Sequence, residues 1–370
     1  MVGKDNTDRG GHSWVRARAY STTSTRSGGI ADYIRGAGIQ TSDFNKVILP
    51  FVVLRRLECA LEPTRDAVCK RHEKGTWADD DPKYCALSEH CFYNLTSFTL
   101  SNLGAVNTYK ALMAYVDGFS ENARSVLKKF ELDHTAAKLE EQNVLYEVCT
   151  RFAGFDLGPD AVSDRMMSDI YEHLIQRYGE EISEGAEDFM TPRDVVRLAT
   201  SLLFANEDEV LAGDSGEIRN VYDGTCGTGG FLADALDLLD EWHDKGQLSV
   251  SARFTPYGQE FTPVTWAMGK SAMMLRNVAG GDVLDQMNDL SANIAYGDTL
   301  SNDQFAGKTF DYQLTNPPYG KDWNVEKPAV LGEMTEGFAG RFGAGKPAIV
   351  LSGSPLFNGD AGSGEASIRR

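Results

Sequence analysis

The residues with the clearest chemical potential form one short string, Asn316-Pro317-Pro318-Tyr319. The side-chain oxygen of Asn316 and the backbone carbonyl of Pro317 can accept both protons of a planar exocyclic amine, which turns the nitrogen lone pair toward an electrophile. The two prolines stiffen the turn, and Tyr319 can stack on a base swung out of a duplex. The pattern suits methyl transfer from a sulfonium to the amino group of adenine. A Pro-Pro turn beside a core tyrosine is the structural alternative.

This chemistry requires no histidine or carboxylate as a base, because the product proton can leave to water after transfer. We therefore nominate none. The catalytic candidates are Asn316, Pro317, Pro318 and Tyr319.

A second group of candidates follows a predicted buried strand at residues 218–222, and it is rich in glycine. Glycines let the backbone approach a ligand closely, and the N-terminus of the helix that follows offers unpaired amides. Two other interpretations stay open: a turn needed only for packing, and the dinucleotide site of a dehydrogenase. The cofactor-binding candidates in this segment are Asp223, Thr225, Gly227, Thr228, Gly229 and Gly230.

Two acidic residues end the next predicted strands. Glu260 follows the strand at residues 254–258 and can accept hydrogen bonds from both ribose hydroxyls of an adenosine. Asp298 follows the strand at residues 294–296, where it could meet an adenine amino group. A surface glutamate without a role and a turn-forming aspartate are the respective alternatives.

The elements that must position these residues alternate between strand and helix after Leu203. A fourth strand includes Phe310, Tyr312 and Leu314, and a fifth is predicted at residues 348–351. Helices are predicted after the glycine turn and from Thr262 to about residue 277. Alternating strands and helices predict a mostly parallel α/β sheet, and each polar motif lies at the carboxyl end of its strand, where such sheets bind ligands.

The first half of the chain predicts a different organisation. Residues 1–29 are interpreted as a flexible tail, residues 30–156 as a helical domain with a polar loop at residues 70–89, and residues 157–370 as the catalytic domain. Ser163 is expected to cap one helix. Thr191 is expected to cap another, with Pro192 as its first residue and Asp194 bonding back to the cap. The apolar positions on the inner faces of the first helical region are Val47, Ile48, Phe51, Val52, Leu54, Leu57, Val126, Leu127, Phe130, Leu139, Leu145 and Val148.

Composition bounds the class of protein. With 42% hydrophobic and 24% charged residues, the chain resembles ordinary globular proteins, and no stretch approaches the ~18 apolar residues of a membrane span. The six cysteines form no CxxC pair, which favours reduced thiols in a cytoplasmic protein. The six histidines show no metal-ligand spacing, so no metal is expected.

The net charge of −18 bears on how the chain could act on DNA. Phosphate neutralisation by a basic surface supplies most of the affinity of proteins that grip DNA unaided. The acidic balance therefore argues against autonomous DNA binding. It is compatible with DNA chemistry if a partner subunit holds the duplex.

The order of the motifs resembles the modification (methyltransferase) subunit of Type I restriction–modification systems, from about residue 30 onward. The residues that carry the resemblance are Asp43 to Pro50, Leu54 to Leu57, Phe189 to Arg193, the glycine turn, Pro256 to Glu260, Gly297 to Leu300, Asn316 to Gly320, and Gly353 to Phe357.

This resemblance implies a Rossmann-like class I S-adenosylmethionine-dependent methyltransferase domain preceded by an all-α domain. It implies methylation of the N6 amino group of adenine in a bipartite target in double-stranded DNA. It also implies a separate specificity subunit, a restriction subunit for cleavage, and two copies of the chain per complex. The residues that match the family's cofactor contacts are Asp188, Phe189, Met190, Thr191, Pro192, Arg193, Thr228, Gly229, Gly230 and Glu260.

The sequence departs from the family pattern in two places. A helix that usually lies between the active-site loop and the last strand is expected to be missing, since residues 341–347 lead almost directly into residues 348–351. The catalytic domain is expected to be truncated at its C-terminus, where the family continues into helices that meet the specificity subunit.

Two other functions stay open at this point. One is an amino methyltransferase acting on RNA or on a protein glutamine, which can use the same motif on a planar amide. The other is a non-catalytic structural subunit that keeps the fold. The helical region at residues 30–156 and the Thr191-Pro192 segment argue against the first of these.

Overall fold

A computed structural model of the chain describes residues 29–30, 32–36, 39–40, 44–178, 191–205, 218–246, 253–276, 289–318, 322, 324–335 and 346–349. The chain divides into two compact units. The first comprises residues 1–186 and 270–291, and the second comprises residues 187–269 and 292–370. The predicted tail lies outside the described residues apart from Gly29, and the predicted domain boundary between residues 156 and 157 stays a prediction.

The first unit is built from helices, as the apolar spacing predicts. All twelve apolar positions singled out from the sequence are buried, which is expected where several helix faces meet in one core. The helices are α1 (Phe44–Leu61), α2 (Arg65–His72), α3 (Lys83–Ser88), α4 (Thr108–Asp117), α5 (Glu121–Lys129), α6 (Leu132–Glu141), α7 (Leu145–Ala153) and α8 (Asp164–Tyr178). Ser163 caps α8 as predicted, with its hydroxyl accepting the N–H of Met166 at 3.3 Å.

Helix α1 lies at the centre of this unit and buries even an arginine. Arg56 is only 1% exposed, and its guanidinium donates to the carbonyls of Leu157 and Val162. Arg55 donates to the carbonyl of Phe155 at 2.7 Å. A buried charge needs such partners, because leaving it without hydrogen bonds would cost several kcal/mol. The two arginines therefore tie the segment that leads toward α8 to α1.

The predicted loop at residues 70–89 is partly wrong. Helix α2 continues to His72 and α3 occupies Lys83–Ser88, so only residues 73–82 and Glu89 lack helix. Tyr84 is fully buried, and its ring lies 5.1 Å from each of the rings of Trp77 and Tyr93. Aromatic packing contributes about 0.5–1.5 kcal/mol per pair beyond area burial, so these contacts order a segment that polar composition alone reads as loop.

The second half of the chain forms the predicted parallel sheet. Its strands are β1 (Ile218–Asp223), β2 (Arg253–Glu260), β3 (Ile294–Tyr296), β4 (Tyr312–Thr315) and β5 (Lys346–Ile349), in the order β3-β2-β1-β4-β5. Its helices are α9 (Arg193–Phe204), α10 (Gly230–Asp244), α11 (Pro263–Leu275) and α12 (Lys327–Thr335). All four strand pairings are parallel, which confirms the α/β prediction.

The strand order places two motif-bearing strands side by side. Strand β1 pairs with β2 through Asp223 and Gly258, and on its other edge with β4 through Val221 and Tyr312. From β1 the chain continues through β2 to β3 on one side of the sheet. It then crosses to the other side of β1 and continues through β4 to β5. Open parallel sheets bind ligands at such a reversal point, beyond the carboxyl ends of the strands. The ends of β1 and β4 therefore define the candidate site.

Aromatic side chains cover the sheet on both faces, as a parallel sheet requires. On one face Phe310 stacks on Tyr222 with ring centroids 4.4 Å apart. On the other, Phe204 of α9 packs against Tyr312 at 4.5 Å and Phe254 at 5.3 Å. These contacts hold α9 against the strands whose ends carry the motifs.

The end of the described chain leaves one expectation open and shifts another. Helix α12 lies between β4 and β5, but residues 336–345 lie outside the described residues, so the expectation of a missing helix before β5 stays a prediction. Pro328 stands in the first turn of α12, where no intrahelical N–H is required. Strand β5 begins two residues earlier than predicted, at Lys346, and Gly353 to Phe357 lie outside the described residues.

Three composition-based expectations concern groups away from the sheet. All six cysteines belong to the described part of the chain, and each is a free thiol. Within the described ranges, no group of three or more His, Cys, Asp or Glu side chains is placed to hold a metal ion. None of the helices in those ranges combines the length and apolar character needed to cross a membrane.

Candidate active site

The carboxyl ends of β1 and β4 are joined by hydrogen bonds centred on Asp223. Its carboxylate accepts the N–H of Thr225 at 3.0 Å and the hydroxyl of Thr315 at 2.9 Å, and the two threonine hydroxyls lie 2.9 Å apart. Burial raises the pKa of Asp223 to about 7, an effect that these hydrogen bonds oppose and the charge of Glu260 adds to. Asp223 therefore holds the ends of β1 and β4 together, and it is also a candidate residue for binding the cofactor.

The glycine turn is open on one side and packed on the other. Gly227 and Gly229 have φ values of +53° and +81°, a region that favours glycine, and Gly229 is the N-cap of α10. A Cβ on Gly227 would meet nothing within 4 Å. On the opposite side a Cβ on Gly269 of α11 would lie 3.0 Å from the carbonyl oxygen of Gly227. The turn thus forms a cradle that is open at Gly227, and α11 packs against the backbone of the turn at Gly269.

Glu260 holds the glycine turn against β2. One carboxylate oxygen accepts the N–H of Gly227 at 2.9 Å. The other accepts the N–H of Thr262 at 2.7 Å and the hydroxyl of Thr265 at 2.9 Å. A carboxylate has about four acceptor positions, so at least one more hydroxyl can bind to the Gly227-facing oxygen. Glu260 is only 7% exposed, which argues against the alternative of a surface glutamate without a role.

Asp298 forms the turn after β3. One of its carboxylate oxygens accepts the N–H groups of Leu300 at 2.7 Å and Ser301 at 3.1 Å. This is the turn-forming arrangement considered from the sequence. Its second oxygen makes neither of these bonds, and a role toward adenine stays a prediction.

The segment before α9 corrects a local expectation. The helix begins at Arg193 with Pro192 as its N-cap, and no side chain caps it, so the prediction that Thr191 caps the helix was wrong. The hydroxyl of Thr191 instead accepts a hydrogen bond from Nδ2 of Asn316 at 2.9 Å. Arg193 pairs with Asp234 of α10 at 3.5 Å, which brings this segment to the helix that begins at the glycine turn.

The motif at the end of β4 is partly accessible. Asn316 and Pro317 are half-buried and Pro318 is exposed, so this part of the motif is accessible in the described residues. Four candidates lie outside the described residues: Asp188, Phe189, Met190 and Tyr319. The other candidates all lie at the carboxyl ends of β1 to β4 or at the start of α9.

Three residues of the site escaped the sequence reasoning. Thr315 and Gly269 act through contacts made by distant parts of the chain. Phe261 follows Glu260 directly and is 67% exposed, a high exposure for a phenylalanine at the end of a strand. Its position after a strand-end acid is a signal that the sequence does carry.

Comparison with known proteins supports this arrangement of domains. The family described as HsdM N-terminal domain matches residues 29–152, and the family described as N-6 DNA Methylase matches residues 162–336. The two matches follow one another along the chain, and the second covers strands β1 to β4 with their motifs. The chain therefore contains an HsdM N-terminal domain followed by an N-6 DNA Methylase domain, and it is similar to Type I modification subunits.

Individual Type I methylase subunits match parts of the chain. A Type I restriction enzyme methylase subunit of Methanocaldococcus jannaschii is 24% identical over 211 residues, which are 56% of this chain and 32% of the relative. One from Mycoplasma pneumoniae is 27% identical over 171 residues, 44% of this chain and 27% of the relative. The chain spans about a third of the length of the curated relatives it matches.

A solved structure shows the same fold. The methyltransferase subunit of a type I restriction-modification system from Streptococcus thermophilus superposes with a TM-score of 0.59 at 20% identity, covering 95% of this chain and 78% of that one. At this identity the likeness concerns the fold. It agrees with the expected fold, in which a helical domain is combined with a parallel α/β sheet.

Proposed function

We propose that this modification subunit transfers a methyl group from S-adenosylmethionine to the N6 amino group of adenine in double-stranded DNA. The observation that carries the proposal is the position of Asn316 and Pro317 at the carboxyl end of β4, beside the β1 strand that leads into the glycine turn. Acceptors for an amine and a cradle for a nucleoside ligand thus occupy one edge of one sheet. The matches to the HsdM N-terminal domain and N-6 DNA Methylase families agree with this proposed function.

The residues at the end of β1 and β2 fit an adenosine-containing cofactor. The open side of the Gly227 turn leaves backbone room for a ligand, and Glu260 retains acceptor capacity for a ribose hydroxyl. The exposed ring of Phe261 offers a flat apolar surface next to that carboxylate. S-adenosylmethionine, when bound, supplies a methyl group on a positively charged sulfur and leaves as the neutral thioether. Asp223, Asp298 and the Thr191 to Arg193 segment complete the proposed cofactor site.

The proposed chemistry of Asn316 and Pro317 follows from the electronics of adenine. The N6 lone pair is delocalised into the ring, so the free amine is a poor nucleophile. Hydrogen bonds from its two protons to the side-chain oxygen of Asn316 and the carbonyl of Pro317 favour a nitrogen lone pair directed out of the ring plane. The new N–C bond forms as the C–S bond breaks, and the methylated amine then loses one proton to water. Fixed acceptors lower the barrier because they need no reorganisation during the step.

We further propose that the DNA is presented by partners. The net charge of −18 opposes unaided binding to a polyanion, and a target base must leave the stack before its amine can reach the site. A sequence-reading specificity subunit, with two copies of the modification subunit, would supply the grip. A restriction subunit is a further proposed partner for cleavage.

The test is methyl transfer by the full-length protein co-expressed with the specificity subunit of its host. Labelled S-adenosylmethionine is incubated with duplex DNA, RNA and protein, and nucleosides from the DNA are separated by mass spectrometry. We expect N6-methyldeoxyadenosine, and we expect its loss when Asn316 is replaced by alanine. Label found only in RNA or protein, or on cytosine, would contradict the proposal, and no transfer at all would indicate a structural subunit.

A further inference from the structure

A hydrogen bond links Asn316 to a residue 125 positions earlier in the chain. Nδ2 of Asn316 donates to the hydroxyl oxygen of Thr191 at 2.9 Å, and both side chains are half-buried. The start of α9 does not explain this bond. Pro192 is the N-cap, and its carbonyl accepts the N–H groups of Val195 at 2.9 Å and Val196 at 3.1 Å. The Thr191 hydroxyl is therefore available for a task other than capping.

The geometry of an asparagine side chain gives this bond a consequence. The torsion that sets the plane of the amide is broad and roughly two-fold, so an amide held only by its Cβ samples many orientations. One hydrogen bond at Nδ2 selects the plane and turns Oδ1, the acceptor atom of the amide, away from Thr191. If the amide were flipped, its NH2 group would face the N–H donors of the target amine, and neither group could accept a hydrogen bond from the other.

The backbone of the same residue is held by a second threonine. Thr315 ends β4 and donates its hydroxyl to the buried carboxylate of Asp223 at 2.9 Å, which ties this strand end to β1. Thr315 thus fixes where Asn316 is, and Thr191 fixes how its amide is turned. The two threonines come from separate elements, so the orientation depends on α9 being in place.

We propose that Thr191 is a positioning residue for methyl transfer: its hydroxyl holds the Asn316 amide with Oδ1 directed to accept a proton of the target amine. This inference rests on the proposed function and adds a role distinct from contact with the cofactor. Loss of the hydroxyl leaves every atom of Asn316 in the protein but removes a hydrogen bond that orients its amide. A misplacement of about 1 Å costs on the order of 100-fold in rate.

Three variants test the inference in the assay of DNA methylation described above. Thr191→Val keeps the shape but cannot accept a hydrogen bond, and Thr191→Ser keeps the hydroxyl. Thr200→Val is the matched control, because Thr200 is buried on α9 and its hydroxyl has no hydrogen-bond partner in the part of the chain that the structure describes. We expect kcat to fall roughly 10- to 100-fold for Thr191→Val, a larger change than any rise in KM for either substrate. Thr200→Val should stay within about threefold of the wild type, and Thr191→Ser should recover most of the kcat that Thr191→Val loses.

Several outcomes would overturn the inference. An unchanged kcat with a raised KM for S-adenosylmethionine would show that Thr191 serves only cofactor binding. Equal losses for Thr191→Val and Thr191→Ser would show that the hydroxyl is not the relevant group. In the same assay, an inactive wild type indicates failure of the proposed function instead.

A double-mutant cycle keeps the inference testable without DNA. The melting temperatures of Thr191→Val, Asn316→Ala and the double variant are compared with that of the wild type. Because the two side chains share one hydrogen bond, we expect the double variant to lose less stability than the sum of the single losses. Additive losses would overturn the inference whatever the methylation assay returns.

Discussion

The carboxylate of Glu260 accepts the backbone N–H of Gly227 at 2.9 Å, so the acid that ends β2 also shapes the turn that ends β1. Two strand ends that the sequence presents as separate motifs are thus one bonded unit. A change at either residue is expected to affect the other. This coupling sets the first prediction.

Glu260→Gln should lower both cofactor affinity and stability. Glutamine keeps the oxygen that serves Thr262 and Thr265 but places an NH2 group opposite the N–H of Gly227. A buried donor left without an acceptor costs about 1–3 kcal/mol. We expect a drop in melting temperature and a loss of S-adenosylmethionine affinity of about tenfold or more in calorimetry.

The control for that experiment is Asp244→Asn at the end of α10. Its carboxylate is largely exposed, and removal of this charge should leave both measurements unchanged. If Glu260→Gln bound the cofactor as tightly as the wild type, the proposed role of the carboxylate would be wrong.

Asn316→Ala should abolish transfer while leaving cofactor binding intact. Asn316 lies at the end of β4, whereas the proposed cofactor cradle lies at the ends of β1 and β2. Removal of one hydrogen-bonding group that acts in the transition state typically lowers kcat by about 100- to 1,000-fold. Single-turnover methylation and calorimetric titration with S-adenosylmethionine measure the two effects. Equal loss of both would indicate that the loop serves folding, and Asn324→Ala, at an exposed position, is the control.

Gly269→Ala should displace the backbone of the glycine turn at Gly227 and Gly229. The added Cβ would lie 3.0 Å from the carbonyl oxygen of Gly227 and 3.2 Å from the nitrogen of Gly229, closer than most real contacts. Since both neighbours are backbone atoms, the turn itself must shift. We expect cofactor affinity to fall by about tenfold, which corresponds to about 1.4 kcal/mol.

Gly332→Ala on α12 provides the matched control for this glycine. A Cβ there meets nothing within 4 Å, and alanine in a helix is favoured over glycine by up to about 1 kcal/mol. The control should therefore bind normally and melt at the same temperature or higher. Normal binding by Gly269→Ala would show that the turn tolerates the contact.

Asp223 should make stability fall as the pH rises. Its pKa is about 7 in the folded protein because of burial, against an ordinary value of about 3.9 for the unfolded chain. Between these values the folded state holds a proton that the unfolded state has released, so the free energy of unfolding declines from pH 4 to 7. Asp223→Asn keeps an oxygen to accept from Thr225 and Thr315 but cannot titrate.

The measurement compares melting temperatures of wild type and Asp223→Asn from pH 5 to pH 8. Contributions of all other groups are shared, so the difference isolates this carboxyl. We expect the melting temperature of the variant to gain on that of the wild type as the pH rises. A constant difference would show that Asp223 titrates below this range.

Much of the fold could be predicted because its signals are local. The apolar spacing of α1 and the four strands from Ile218 to Thr315 follow from residues close together in sequence. Errors arose where distant side chains decided the outcome. Tyr84 orders a polar segment by packing against Trp77 and Tyr93. The hydroxyl of Thr191 accepts a hydrogen bond from Asn316 and does not cap α9.

The sequence by itself determined which groups are present: the acceptors of Asn316 and Pro317, the glycines of the turn, and the acid at position 260. Each is set by residue type and by its place after a strand. Only the tertiary structure decided how they act together. The Thr191–Asn316 and Glu260–Gly227 hydrogen bonds and the approach of Gly269 join segments 125, 33 and 42 residues apart. Such contacts depend on the strand order β2-β1-β4 and on the packing of α9 and α11, because hydrogen bonds act over about 3 Å whatever the separation along the chain.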